Sequence, residues 1–378
     1  MLDRLIQQLI ANKSLTAEQA HQAVGLLVDE TVPPADKAEF LAALARKGET
    51  PEEIAAFARA LRAHAVTPPL DAAWRQGRVI LDVVGTGGDR LSTFNISTAA
   101  ALVAAAAGVP VAKHGNRAVT SAVGSADVME ALGLPFDVAP EAAAQLLQAH
   151  GFAFFFAPRY HPAFRHIAPA RRLCAERGQR TIFNFLGPLL NPAQPTAALV
   201  GVPRPELCAP LAQVLQSLGL RRAMVVCGDV PPESNNGARH GGSPAQAGGS
   251  EPTAQGQWLD ELSTLGPSTV AEFHHEGAVV CSTFDPTPLP MQPARLADLR
   301  GGDAATNAQL LRGVLRGQDR GPRRDAVLLN AGAALFVAGV TRSIAEGWEL
   351  AERVIDDGRA GQKLEELRQL ARRAAGGA

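Results

Sequence analysis

The sequence predicts an α/β protein, with a small all-helical N-terminal domain and a larger α/β domain around a mostly parallel central sheet. Three observations carry that expectation. Residues from Leu2 to about Ala65 space their apolar side chains as helices do and contain no strand-like run. A short β-branched run, Val79-Ile80-Leu81-Asp82-Val83-Val84, then opens into a glycine-rich turn and an alanine-rich helix. Strand, glycine turn and helix recur in weaker form further along, as in sheets covered by helices.

In chain order, the helical domain spans residues 1–70, and two of its helix starts are marked. Thr16 has Gln19 three residues on, and Thr50 is followed by Pro51 and Glu53, both capping-box patterns. Ile54, Phe57, Ala58 and Leu61 then share one helical face. Pro68-Pro69 forms a linker, and the α/β domain is expected over 75–378, with part of 160–190 packing back on the helical domain. Further strand-to-turn passages are expected where Val109–Val111 leads into Lys113 and where Ala223–Val226 leads into Gly228. Apolar runs at Gly277–Cys281 and Ala326–Ala338 fit the same fold class. Residues 229–257 are rich in Gly, Ser, Pro, Asn and Gln; such a segment buries too little to offset its ordering entropy, so a flexible insertion is expected.

Bulk properties exclude several functions. The chain has 378 residues, 46% apolar and 19% charged, and a formal net charge of −1, so no global field draws it to nucleic acid or membrane. An anion site must then be local. Cys174, Cys208, Cys227 and Cys281 are scattered, which suits neither zinc nor a disulfide framework and fits a reducing cytoplasm. Met1-Leu2-Asp3-Arg4 leads into no basic-then-apolar signal segment. The apolar stretch Ala99–Ala107 is too short to span a bilayer and reads as a buried helix.

The chemistry-bearing motifs begin with Gly85-Thr86-Gly87-Gly88-Asp89. Its glycines let backbone N–H groups curl toward an anion, and the helix that follows adds its positive dipole end. The spacing is neither the dinucleotide fingerprint nor the P-loop. Asn95-Ile96-Ser97-Thr98 sets an amide and two hydroxyls at the helix entrance, where an N-cap is the plain structural reading. Lys113-His114-Gly115-Asn116-Arg117 places two cations and a histidine around a glycine turn, where a solvated basic turn is the plain one. Gly124-Ser125-Ala126-Asp127 adds a small-residue turn able to donate to phosphate. Such turns at the C-terminal ends of neighbouring strands converge on one crevice. Asp260-Glu261, with Ser263 nearby, offers the one or two carboxylates that magnesium commonly takes alongside substrate phosphates. Tyr160-His161-Pro162-Ala163-Phe164-Arg165-His166 leads on to Arg171, whose planar fork suits a carboxylate. Thr181 to Pro192 reads as an apolar wall ending in a proline turn.

Taken in this order, these motifs, together with Arg180-Thr181-Ile182-Phe183-Asn184 and Leu259-Asp260-Glu261-Leu262-Ser263, resemble the anthranilate phosphoribosyltransferases over nearly the whole chain. The resemblance implies a magnesium-dependent homodimeric enzyme that joins anthranilate to 5-phosphoribosyl diphosphate in tryptophan biosynthesis and releases diphosphate. It implies that the donor is held by Gly85, Gly88, Asp89, Thr93, Asn95, Ile96, Ser97, Thr98, Lys113, His114, Gly115, Asn116, Arg117, Ala118, Val119, Thr120, Ser121 and Ser125. By the same likeness Gly85, Asn116, Arg171 and Pro188 line the anthranilate path, and Ser97, Asp260 and Glu261 bind magnesium. No residue is implied as a general acid or base. The sequence departs from the family pattern at Ala122 and Val123, where lysine and serine are usual, and at Cys227, where histidine is usual. The alternatives are a related nucleoside phosphorylase and a non-catalytic nucleic-acid-binding relative. Arg171 and the apolar wall favour an aromatic carboxylate over a nucleobase, and the neutral charge disfavours nucleic acid.

Overall fold

The computed structural model describes residues 2–118, 123–232 and 256–376. The N-terminal segment forms four helices, Leu2–Ile10, Ala17–Val28, Pro34–Lys47 and Pro51–Ala63. Both capping boxes form. Thr16 and Thr50 each accept a bond from the backbone N–H three residues on, and the Gln19 and Glu53 side chains accept from the cap backbone in return. Five side-chain bonds join this lobe to residues further along, among them that of the Arg59 guanidinium to the Ser217 carbonyl at 3.4 Å. The buried Lys37 ammonium donates to the His166 carbonyl at 3.0 Å, and the Arg62 Nε to that of Leu189 at 2.7 Å. Cys174 donates to the Ala38 carbonyl and Gln179 to that of Ala42.

The sheet has eight strands among the described residues: β1 Leu81–Gly85, β2 Val111–Gly115, β3 Phe152–Phe156, β4 Ala197–Gly201, β5 Arg222–Val230, β6 Gln257–Leu259, β7 Ser268–His274 and β8 Val280–Phe284. Their order is β3-β2-β1-β4-β5-β7-β8, with β6 also on β5. The first five are parallel, while β6 and β7 run antiparallel to β5 and β8 antiparallel to β7.

Side chains alternate between the two faces with the period of a pleated strand. On β4, Ala197 and Leu199 join one core and Ala198 and Val200 the other; on β5, Met224 and Val226 oppose Ala223, Val225 and Cys227. The alanine-rich helix, Ile96–Ala106, lies buried in the first core beside Pro322–Val337. The apolar run Ala326–Ala338 thus folds chiefly as helix, and Gly277–Cys281 leads into the exposed edge strand β8, which takes its last two residues. At the edges of the expected insertion 229–257, β5 continues to Val230 and β6 starts at Gln257; residues 233–255 lie outside the described residues. Among the described residues no helix is long and apolar enough to cross a membrane.

Candidate functional site

The site lies where β1 and β2 end side by side, next to β4. Gly85 closes β1, and Gly87 and Gly88 take φ values of 71° and 89°, which side-chain-bearing residues rarely adopt. This turn aims the Gly87 N–H at Oδ2 of Asp260, 2.7 Å away and 173 residues later. A Cβ on Gly85 would collide with that carboxylate, lying 3.1 Å from its Cγ, so glycine is required there by close approach. Gly201, at the end of β4, is pressed still more closely by the Asp260 backbone. Asp89 accepts a turn bond from the Leu91 N–H, and its buried Oδ2 has no partner among the described residues. Thr93 forms a bridge with Arg300.

Asn95 is the residue before the helix Ile96–Ala106, yet its side chain makes no cap bond. Instead its Oδ1 accepts from Asn307 at 3.0 Å, and its amide donates to the Val123 carbonyl at 3.5 Å. The free N–H of Ser97, in the first helical turn, donates to Oε1 of Glu261 at 3.0 Å. Ile96 and Thr98 are buried, with the Thr98 hydroxyl unpartnered among the described residues.

Lys113 departs from expectation. It lies inside β2, 1% exposed, and donates to the Val83 carbonyl at 2.6 Å and to the Ser97 hydroxyl at 3.5 Å. Lys113 and His114 are therefore strand residues rather than parts of a solvated turn; only Gly115 onward leaves the sheet. Burial lowers the Lys113 ammonium, and Asp82 and Glu261 oppose that shift.

Asn116 and Arg117 are exposed at the end of β2. Arg117 is turned onto Asp127 and Glu130, at 2.9 and 2.8 Å. Asp127 also accepts the N–H groups of Ala118 and Gly124, so Gly124–Asp127 is the capped start of the helix Ser125–Leu132 rather than a free turn. Ser125 donates to the Asn116 carbonyl at 3.4 Å and leaves no room for a side chain on Gly115. Val119, Thr120, Ser121 and Ala122 lie outside the described residues.

The second wall is the turn around Pro188. His114 Nδ1 meets the Gly187 carbonyl at 3.2 Å and His161 Nε2 that of Leu190 at 3.0 Å. Burial holds both imidazoles neutral, pushing His114 down to about 3 and His161 to about 4. His161 stacks on Phe164, which meets Phe183 edge-on, and the Arg171 guanidinium lies 5.1 Å from the centroid of Phe183. Gly85, Asp260, Glu261, Ser97 and Lys113 thus form one connected group; Arg171 and Pro188 belong to a second wall, joined to it through His114 on β2.

Sequence reasoning passed over Asp82 and Asn191. Both are fully buried, and the Asn191 amide donates to Asp82 at 2.8 Å and to the Ala112 carbonyl at 2.7 Å, pinning the end of the Pro188 turn to β1 and β2. Burial raises the Asp82 carboxyl to about 6, against the pull of Asn191 and Lys113. A lone acid inside an apolar strand was the available signal. Cys227, on β5, is buried, and burial raises its thiol, so it acts as an apolar filler.

Among the described residues no three acidic, imidazole or thiol side chains form a ligand set by themselves. The donor chemistry nevertheless fits a hard divalent cation that completes its shell with phosphate oxygens. Burial, then the nearby Asp89 and Glu261 carboxylates, hold Asp260 well above the usual range, and burial does the same to Glu261. With the orphaned Asp89 oxygen, these acids form a locus of unbalanced negative charge that a cation relieves.

Comparison with known proteins agrees with this geometry. Residues 3–65 match the helical bundle domain of the glycosyl transferase family, and 77–236 and 252–361 match its a/b domain. The anthranilate phosphoribosyltransferase of Thermomicrobium roseum is 44% identical over 372 residues, covering 98% of this chain and 97% of the relative. The chain belongs to the anthranilate phosphoribosyltransferase family. Among solved members of that family, the Thermus thermophilus enzyme superposes with a TM-score of 0.81 at 40% identity, covering 97% of this chain and 99% of that one. The Saccharomyces cerevisiae enzyme in complex with PRPP and Mg superposes with a TM-score of 0.79 at 26% identity, covering 98% and 97%. The yeast enzyme has also been solved in complex with 4-fluoroanthranilate.

Proposed function

We propose that the chain transfers the phosphoribosyl group of 5-phosphoribosyl diphosphate to the amine of anthranilate, releasing diphosphate, as in tryptophan biosynthesis. The observation that carries this reading is the meeting of Asp260 and Glu261 with the glycine turn and the Ser97 helix entrance. The Gly87 and Ser97 N–H groups fix Asp260 and Glu261 in place, and the rest of the Gly85–Asp89 turn is assigned to the donor's phosphates, with Lys113 beside the buried acids. When bound, magnesium supplies positive charge to the leaving diphosphate, with Asp260, Glu261 and Ser97 as its protein ligands. Anthranilate's aryl amine is neutral at pH 7 and attacks without a strong base. The residues of this site therefore act by binding and alignment, which accounts for the lack of a nucleophile–base pair. Arg171 is assigned to the acceptor's carboxylate, and Pro188, Asn116 and Gly85 to the path of its ring.

We further propose a cytoplasmic homodimer. An apolar contact point is available at Ile10, 59% exposed at the end of the helix Leu2–Ile10. The deciding experiment incubates the purified chain with magnesium, anthranilate and the donor and follows anthranilate fluorescence. Consumption that requires both donor and metal is expected; a folded protein that consumes none ends the assignment.

A further inference from the structure

Asn307 lies in the helix Ala304–Leu315 and is 2% exposed. Asparagine is a poor helix former, and this helix start already has a cap, because the Asp303 side chain accepts the Thr306 N–H at 2.8 Å. The Asn307 side chain has a different use. Its Oδ1 accepts the Gly302 N–H at 2.7 Å, and its Nδ2 donates to Oδ1 of Asn95 at 3.0 Å. Residues 299–302 are in turn laced to 92–94: the Phe94 N–H meets the Leu299 carbonyl at 3.0 Å, and the Gly301 N–H that of Ser92 at 2.9 Å. A Cβ on Gly301 would strike the Asn307 amide, so glycine gives that amide its place.

Polarity propagates along this chain of bonds. A backbone N–H only donates, so Asn307 must turn its oxygen to Gly302. The other end of the amide is then its nitrogen, which also only donates, and Asn95 must answer with its oxygen. The Asn95 Nδ2 is thereby turned the opposite way, where it reaches the Val123 carbonyl at 3.5 Å, long for a hydrogen bond. Val123 adjoins the Gly124–Ser125 turn, so this nitrogen stands between two segments assigned to the phosphoribosyl donor.

We infer that Asn307 is a positioning residue for the phosphoribosyl donor: it sets Asn95 with its amide nitrogen, and not its oxygen, toward the donor's anionic oxygens. The inference rests on the proposed reaction and on the assignment of Asn95 to the donor. An Asn95 amide free to turn would spend part of its time presenting an oxygen, which repels phosphate.

The test is a double-mutant cycle in steady-state kinetics at pH 8, reading the donor and anthranilate KM of wild type, Asn95→Ala, Asn307→Asp and the double variant. Asp keeps an acceptor for Gly302 but offers Asn95 an oxygen, so the Asn95 amide reverses. Each single variant should raise the donor KM about tenfold, the scale of one hydrogen bond to a charged group, with the anthranilate KM changed less than about twofold. The double variant should lie within about twofold of Asn95→Ala alone, because Asn307 acts through that amide. Effects that multiply would mean that Asn307 acts by its own charge or through the fold, and would overturn the inference. An unchanged donor KM in either single variant would do the same. If Asn307→Asp fails to fold, Asn307→Leu, which frees the Asn95 amide, replaces it in the cycle with an expected rise of about threefold. A wild type that consumes no anthranilate would strike the reaction itself, whereas an active wild type whose donor KM ignores Asn95→Ala strikes this inference alone.

Discussion

Gly85→Ala tests the heart of the site with a single methyl group. The added Cβ would overlap the Asp260 carboxylate and lie 3.1 Å from its Cγ and 3.3 Å from its carbonyl oxygen. The side chain can rotate away, but only by giving up the 2.7 Å bond from the Gly87 N–H. Losing a hydrogen bond to a charged group, with some overpacking, costs about 2 kcal/mol, so the thermal midpoint should fall by a few degrees and no more. The effect on turnover should be far larger, because a misplacement of about 1 Å can cost about 10²-fold. The assay is anthranilate consumption at saturating donor across a magnesium titration. We expect a kcat loss of about 10²-fold and a higher magnesium midpoint. Gly201→Ala is the contrast: its Cβ would run into the Asp260 backbone and lie 3.2 Å from the Glu261 nitrogen, where no side-chain rotation helps, so stability should suffer more. A Gly85→Ala protein within about threefold of wild-type turnover at equal magnesium refutes the placement of Asp260 as a metal ligand on this turn.

Three further outcomes are expected. Arg171→Ala should raise the anthranilate KM at least about tenfold while the donor KM barely moves; equal changes in steady-state kinetics would remove its role. The folded pKa of His161, about 4, lies below its ordinary 6.5, so its neutral form contributes stability above pH 6.5 that drains away as pH falls toward 4. The thermal-midpoint gap between wild type and His161→Gln should therefore narrow from pH 7 to pH 5, and a constant gap would contradict the buried neutral imidazole. Ala122→Lys, restoring the family's cation at a position outside the described residues, should lower the donor KM; an unchanged value would show the lysine to be dispensable here.

What was legible in the sequence was mostly local. The capping boxes at Thr16 and Thr50 join residues three apart, so their spacing alone reveals them. The glycine turn announced itself because positive φ and close approach demand that residue type. Lys113 reads as part of a basic turn because nothing nearby in sequence reveals that the Val83 carbonyl, 30 residues earlier, receives its ammonium. Asp82 and Asn191 are 109 residues apart, and their bond follows from strand order, which local patterns do not encode. Of the antiparallel edge, β6 has three residues and β8 is exposed, and neither carries the apolar run that marks a buried strand. Asp260 and Glu261 stand out in the sequence as adjacent acids suited to magnesium, whereas the atoms they meet emerge only in three dimensions.

The reach of those two acids has a consequence for how the protein comes into being. The Gly87 and Ser97 N–H groups find their carboxylate partners 173 and 164 residues downstream. During synthesis the strands β1 to β4, with the glycine turn and the Ser97 helix entrance, emerge while the acids are still unmade. A nascent or truncated chain that stops short of β6 would thus carry the turn without Asp260 and Glu261, the partners of its N–H groups. The group closes late, when β6 pairs with β5 and carries Leu259, Asp260 and Glu261 across to the glycine turn.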